Sequence, residues 1–123
     1  MISFFKTGSL GQHGEKLALK HLRQKGYGLL TKNYKFMRAE IDLVCCDEQN
    51  KVLVFAEVKT RTSKNFGEPE DAVSSLKQNQ ILKAAEGFLS QNEKYENYEK
   101  RFDIISVYID GNRTEITHLE DVF

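Results

Sequence analysis

Apolar residues recur along this chain with two different periods, and the changes of period mark its elements. Over residues 9–25, Leu10, Leu17, Ala18 and Leu22 fall on one stripe at helical spacing, with Ser9 suited to cap the helix and Gly26 to stop it. Strand patterns follow. Residues 28–36 form the first, 40–46 alternate cleanly, and 51–61 contain Val52-Leu53-Val54-Phe55-Ala56, the near-continuous apolar run of a central strand covered on both faces. Asp47-Glu48-Gln49-Asn50 reads as the polar turn of a hairpin between the second and third strands. Residues 62–70, with Gly67 and Pro69, read as a loop, and 71–91 as a long helix through Val73, Leu76, Ile81, Ala84 and Phe88. After a charged connector over 92–100, residues 101–110 alternate as a strand, Asp110-Gly111-Asn112 is a hairpin turn, and 113–119 form a last strand. The order is α-β-β-β-α-β-β, an α/β class with a mixed sheet. Strands one to three can form a meander, while strand three, helix and strand four make a parallel crossover.

Two segments put charge inside this pattern. Glu40-Ile41-Asp42-Leu43 and Glu57-Val58-Lys59 lie in runs that otherwise read as buried strand. A carboxylate or ammonium withdrawn from water must be paired, hydrogen-bonded or bound to a metal. Side chains alternate along a strand, so Glu40 and Asp42 should share one face of theirs, and Glu57 and Lys59 one face of theirs. Paired as a hairpin, the two sets can lie together in the layout of a divalent-cation site with a lysine beside it. A bland alternative stands beside each piece: Glu57 and Lys59 suit a same-face salt bridge, and Glu40 suits a pair with Arg38 or the strand's solvated start.

Composition narrows the setting. The 123 residues fit one domain over 1–123, tryptophan is absent and there is a single proline, so nothing suggests disorder or a membrane span. The apolar run in Met1-Ile2-Ser3-Phe4-Phe5-Lys6 is too short for a signal peptide, and adjacent Cys45 and Cys46 suit neither a disulfide framework nor zinc; the expected location is cytoplasmic. Formal charge is zero, yet residues 1–44 carry eight Lys/Arg against three Asp/Glu, while 76–123 carry six against nine. One end can therefore face a phosphate backbone while the whole stays neutral.

Several further residues are candidates. Lys77 falls within the second helix's apolar stripe with Gln80 near it, so Lys77 either snorkels or points into the acid cluster. Arg61, Lys64 and Phe66 leave the central strand as a phosphate-contacting edge or a solvated one. Glu15 sits at the margin of the first helix's stripe, and His13, in the glycine-bounded turn before it, can touch substrate or stand on the surface.

With these residues in view, the sequence resembles the YraN-like group of uncharacterised bacterial proteins. That group is similar in fold to the restriction-endonuclease and archaeal Holliday-junction-resolvase superfamily with its PD-(D/E)XK motif. The resemblance covers nearly the whole chain. Its matching segments are Gly11-Gln12-His13-Gly14-Glu15, Ala39-Glu40-Ile41-Asp42-Leu43-Val44, Phe55-Ala56-Glu57-Val58-Lys59-Thr60-Arg61, Phe66-Gly67, Lys77, Arg101-Phe102-Asp103, and His118 onward to Phe123. Ala39 and Ala56 depart from the family's usual glycine and β-branched residue. The resemblance implies a restriction-endonuclease-like fold in which Asp42, Glu57 and Lys59 match the superfamily motif and Glu15 its helix acid. Mg²⁺ or Mn²⁺ is then expected on Asp42 and Glu57 with the Val58 carbonyl between them, Lys59 orienting or deprotonating water, and Glu15 ligating through water or a second metal. The expected activity is a divalent-metal-dependent nucleic-acid phosphodiesterase, with DNA the favoured partner, no membrane, and a homodimer by analogy with the resolvases. The alternatives are a non-catalytic nucleic-acid-binding module of the same fold, or a protein-interaction domain whose acids are structural.

Overall fold

The computed structural model describes residues 9–62 and 74–123. Its elements are α1 (Ser9–Gln24), β1 (Gly28–Phe36), β2 (Ala39–Asp47), β3 (Val52–Arg61), α2 (Ser75–Gln91), a 3-10 turn at Glu93–Tyr95, β4 (Glu99–Asp110) and β5 (Arg113–Leu119). The five strands form one mixed sheet in the order β1-β2-β3-β4-β5. Only β3 and β4 run parallel. The order α-β-β-β-α-β-β read from the sequence is the observed one.

Local chemistry fixes the ends of the elements. The α1 helix closes in a Schellman motif: Gly26, at φ 98, gives its N–H to the Arg23 carbonyl, and Tyr27 gives its own to Leu22, each at 3.0 Å. The turn between β2 and β3 is held by Asp47, whose carboxylate accepts from the backbone and side chain of Asn50. Ser74 caps α2, its hydroxyl accepting the Lys77 N–H at 3.2 Å. That cap starts the helix at Ser75 rather than at Asp71. Leu76 is consequently no part of the packed stripe; it is 69% exposed. Val73, expected beside it, lies outside the described residues, as does the side chain of Ser9.

Each face of the sheet carries one apolar layer. Ala18 and Leu22 of α1 cover Leu43, Cys45, Val54, Ala56, Val58, Ile105 and Val107. On the other face, Ile81, Ala84, Ala85 and Phe88 of α2 cover Val44, Cys46, Leu53, Phe55, Phe102 and Ile104. Aromatic rings tie this second layer together: Phe55 stacks on Phe102 at 5.3 Å, and Phe102 on Phe123 at 5.1 Å. Covering both faces of β3 is what its continuous apolar run demanded.

One close approach bears directly on the site. A Cβ placed on Gly14 would come within 1.9 Å of the Thr60 hydroxyl oxygen, so only glycine lets α1 sit this near β3. Glu15 and the Glu57-Val58-Lys59 segment are thereby carried on two elements in direct contact. Among the described residues, no helix is long and apolar enough to cross a membrane.

Candidate functional site

The β2–β3 ladder stops at Leu43↔Ala56, one residue short of Asp42 and Glu57. Beyond it, the Asp42 Oδ2 accepts the Val58 N–H at 2.8 Å, a side-chain bond replacing a ladder bond. The neighbouring ladder is disturbed at the same point. Between the pairs Lys32↔Leu43 and Tyr34↔Ile41, the residue opposite Asp42 is Asn33, at φ 51. Side-chain alternation also fails there: Ile41 and Val44 both pack on the α2 layer, which a regular strand would forbid. Left-handed non-glycine backbone is retained where its surroundings over-determine it, and such places cluster at functional sites.

Asp42 is 1% exposed and Glu57 7%, so both carboxylates are withdrawn from water. Glu57 meets a cation from the covering helix, with the Lys77 Nζ 3.1 Å from its Oε2. Lys77 thus points at an acid of the cluster. Lys59, half-buried, lies two residues along β3 from Glu57. Glu40 and Asp42 do not share one environment, because the break in alternation separates them: Glu40 is exposed, standing opposite Lys35 rather than pairing with Arg38. A small cavity of about 10 Å³, the lower limit for one water, is lined by Glu40, Glu57, Ile81 and Phe123.

The remaining candidates are more scattered. Glu15 is half-buried on α1, and His13 is exposed within the same helix rather than in a turn before it. Arg61 ends β3 and Gln80 sits half-buried on α2. Lys64, with Phe66, lies outside the described residues. As metal donors, Asp42, Glu57 and the Val58 carbonyl are of the hard oxygen type that Mg²⁺ takes, for which one or two carboxylates suffice. Among the described residues, no three His, Cys, Asp or Glu side chains are grouped to hold a metal ion.

A second charged cluster was not picked out as a site from the sequence. Asp103, 2% exposed, takes two bonds from Arg101 (Nε 3.0 Å, Nη2 2.9 Å), one from His118 Nε2 at 2.7 Å and the Asp121 N–H at 3.0 Å. Burial pulls its carboxyl upward, but His118, Arg101 and the Asp121 N–H together hold it below the usual carboxylate range. His118 Nδ1 in turn faces His21 Nε2 at 3.1 Å and the Lys25 Nζ at 3.3 Å. Lysine can only donate, so Nδ1 accepts and Nε2 carries the proton to Asp103. The His21 imidazole is held below its ordinary value by burial, then by His118 and Lys25. The sequence signal was there: Arg101 and Asp103 stand two apart on one strand face, as Glu57 and Lys59 do.

A third feature is cationic. Lys16, Lys20 and Arg23 share one exposed face of α1, with Leu19 and Gln24. The thiols offer no comparable chemistry. Cys45 and Cys46 are buried and unbridged, and burial pushes the Cys45 thiol up to about 12.

The element order α-β-β-β-α-β-β around one mixed sheet is that of a restriction-endonuclease-like α/β protein. The chain belongs to the uncharacterised protein family UPF0102, whose model matches residues 14–107. Its relatives include a UPF0102 protein of Natranaerobius thermophilus, 42% identical over 118 residues (94% of this chain, 97% of the relative). One from Flavobacterium psychrophilum is 40% identical over 114 residues (93% and 92%), and one from Geobacter metallireducens 42% identical over 115 residues (94% and 92%).

Proposed function

We propose that this protein is a nucleic-acid-binding domain, with DNA as its partner, built on the restriction-endonuclease-like fold. The observation that carries this reading is the exposed face of α1, where Lys16, Lys20 and Arg23 stand together on a formally neutral chain. Cations clustered on one helix face supply sequence-independent attraction to phosphates without a large net charge. Gly14 seats the same helix against Thr60 of β3, on the sheet face opposite the one where Glu57 meets Lys77. The acids have a structural use in this reading: Asp42 closes the splay between β2 and β3, and Glu57 anchors α2 through Lys77.

A second reading is a Mg²⁺- or Mn²⁺-dependent phosphodiesterase. It is favoured by the Asp42–Val58 bond, which brings Asp42 against the Glu57-Val58-Lys59 segment. Asp42, Glu57 and the Val58 carbonyl would hold the cation, Lys59 would orient water and Glu15 would support the site through water. The cation would supply charge stabilisation and a more acidic water.

One experiment addresses both. Labelled duplex, branched and single-stranded DNA are titrated with protein in chelator, then incubated in Mn²⁺. Binding in chelator without cleavage is the expected result. Cleavage that needs Mn²⁺ and disappears in Asp42→Ala and Glu57→Ala would establish the phosphodiesterase. No binding in any condition would favour a protein-interaction domain.

A further inference from the structure

The β1–β2 hairpin ends in a two-residue turn, Met37-Arg38, closed by the pair Phe36↔Ala39. Met37 is 85% exposed and has φ 56. Both properties are unfavourable for a bulky apolar side chain. A left-handed first position in a hairpin turn selects glycine, and strain of this kind persists where a site makes use of it.

The tip is also firmly mounted. The Phe36 ring packs so near Gly87 of α2 that a Cβ there would come within 2.5 Å of it, and Ala39 is buried. Cations outnumber acids near the methionine: Lys35 and Arg38 flank it in the chain and Lys32 stands further along β1, all three exposed, against Glu40 opposite Lys35. The strand then continues to Glu40, which lines the same small cavity as Glu57. The tip therefore stands at the acid-cluster end of the sheet. An unbranched apolar side chain on a packed hairpin tip, with cations on either side of it in the chain, matches the chemistry of a wedge that unstacks a base step while its neighbours hold the phosphates.

We propose that Met37 enters an unstacked base step of a distorted DNA duplex, at a bulge or branch, with Lys35 and Arg38 on the flanking phosphates. This rests on the nucleic-acid reading above and adds the form of DNA that the protein takes. Insertion would cost least where the stack is already broken, so the wedge converts distortion into affinity.

The test uses the full chain with two duplexes, one intact and one carrying a bulge beside a 2-aminopurine. The parent should prefer the bulged duplex and raise the fluorescence of the probe as it unstacks. Met37→Ser should reduce the ratio of bulged to intact affinity about tenfold, or about 1.4 kcal/mol, and abolish the fluorescence rise. Met37→Gly relieves the left-handed strain; it should melt at higher temperature than the parent yet show the same loss, which separates the wedge from folding. If the parent binds DNA and Met37→Ser keeps both ratio and fluorescence, the wedge is wrong and the nucleic-acid reading stands. If the parent binds neither duplex, both fall, and Met37 is left as a contact for a protein partner.

Discussion

Asp42 is the residue whose role divides the two readings of the site. Its buried carboxylate accepts the Val58 N–H, so Asp42→Ala strands that donor and should cost about 1–3 kcal/mol in urea melts. Asp42→Asn keeps a carbonyl acceptor and should cost clearly less. In the phosphodiesterase reading the parent alone gains stability from a cation, about 2.7 kcal/mol at a hundred times its dissociation constant. A melt unchanged by Mg²⁺ or Mn²⁺ therefore accompanies the structural role. Two titrating residues withdrawn from water contribute to the pH response. Folding lowers the Asp103 pKa, so its contribution is present above the ordinary carboxylate value near 3.9 and is lost as pH falls through the folded value. His21 is lowered too; the folded state resists its protonation, so stability falls as pH drops below about 6.5. Melts from pH 8 to pH 3 should show two losses. His21→Gln should remove the upper one, and its persistence in that variant would assign it elsewhere. The charged pair at Glu57 and Lys59 was legible in the sequence because it interrupted an apolar run. Its partner Lys77 was legible as a cation inside an apolar stripe. The Asp103 cluster was legible only in its Arg101 and Asp103 pair, because its other members come from α1, β5 and the tail, and their meeting depends on how those elements pack.

At the scale of elements, alternation and punctuation residues carried most of the fold. β1 begins and ends where its pattern does, and β3 is central because its apolar run needs cover on both sides. What periodicity could not reveal was its own interruption. A strand read as alternating from 40 to 46 loses alternation at Asp42, where Asn33 takes a left-handed backbone that no sequence period records. The start of α2 was set by a cap that periodicity does not record: the hydroxyl of Ser74 accepts the Lys77 N–H and begins the helix at Ser75. Gly14 shows an element contact that composition hides. Gly14→Ala forces a Cβ into Thr60 and should destabilise the protein by about 1–3 kcal/mol by overpacking. Thr60→Ala in the same chain removes the nearest atoms and should recover part of that loss. Additive costs in the double variant would mean that α1 and β3 separate freely there.

For the whole molecule, the account rests on an asymmetry that a net charge of zero conceals. Among the described residues, Lys16, Lys20 and Arg23 stand on one face of α1 and Lys32, Lys35 and Arg38 on the β1–β2 hairpin, while the last third of the chain is acidic. Sequence showed the asymmetry, and the spacing of Lys16, Lys20 and Arg23 sets them on one helix face; the fold showed that this face is turned to solvent. Electrostatic attraction to DNA releases counterions, so the logarithm of affinity should fall linearly with that of salt, by about 0.9 for each phosphate neutralised. The most direct measurement is this slope for a short duplex, in chelator, for the parent and for a variant with Lys16, Lys20 and Arg23 all changed to alanine. The account predicts a steep slope in the parent and one shallower by up to about 2.7 in the variant. Binding that ignores salt, or equal slopes in the two proteins, would contradict it.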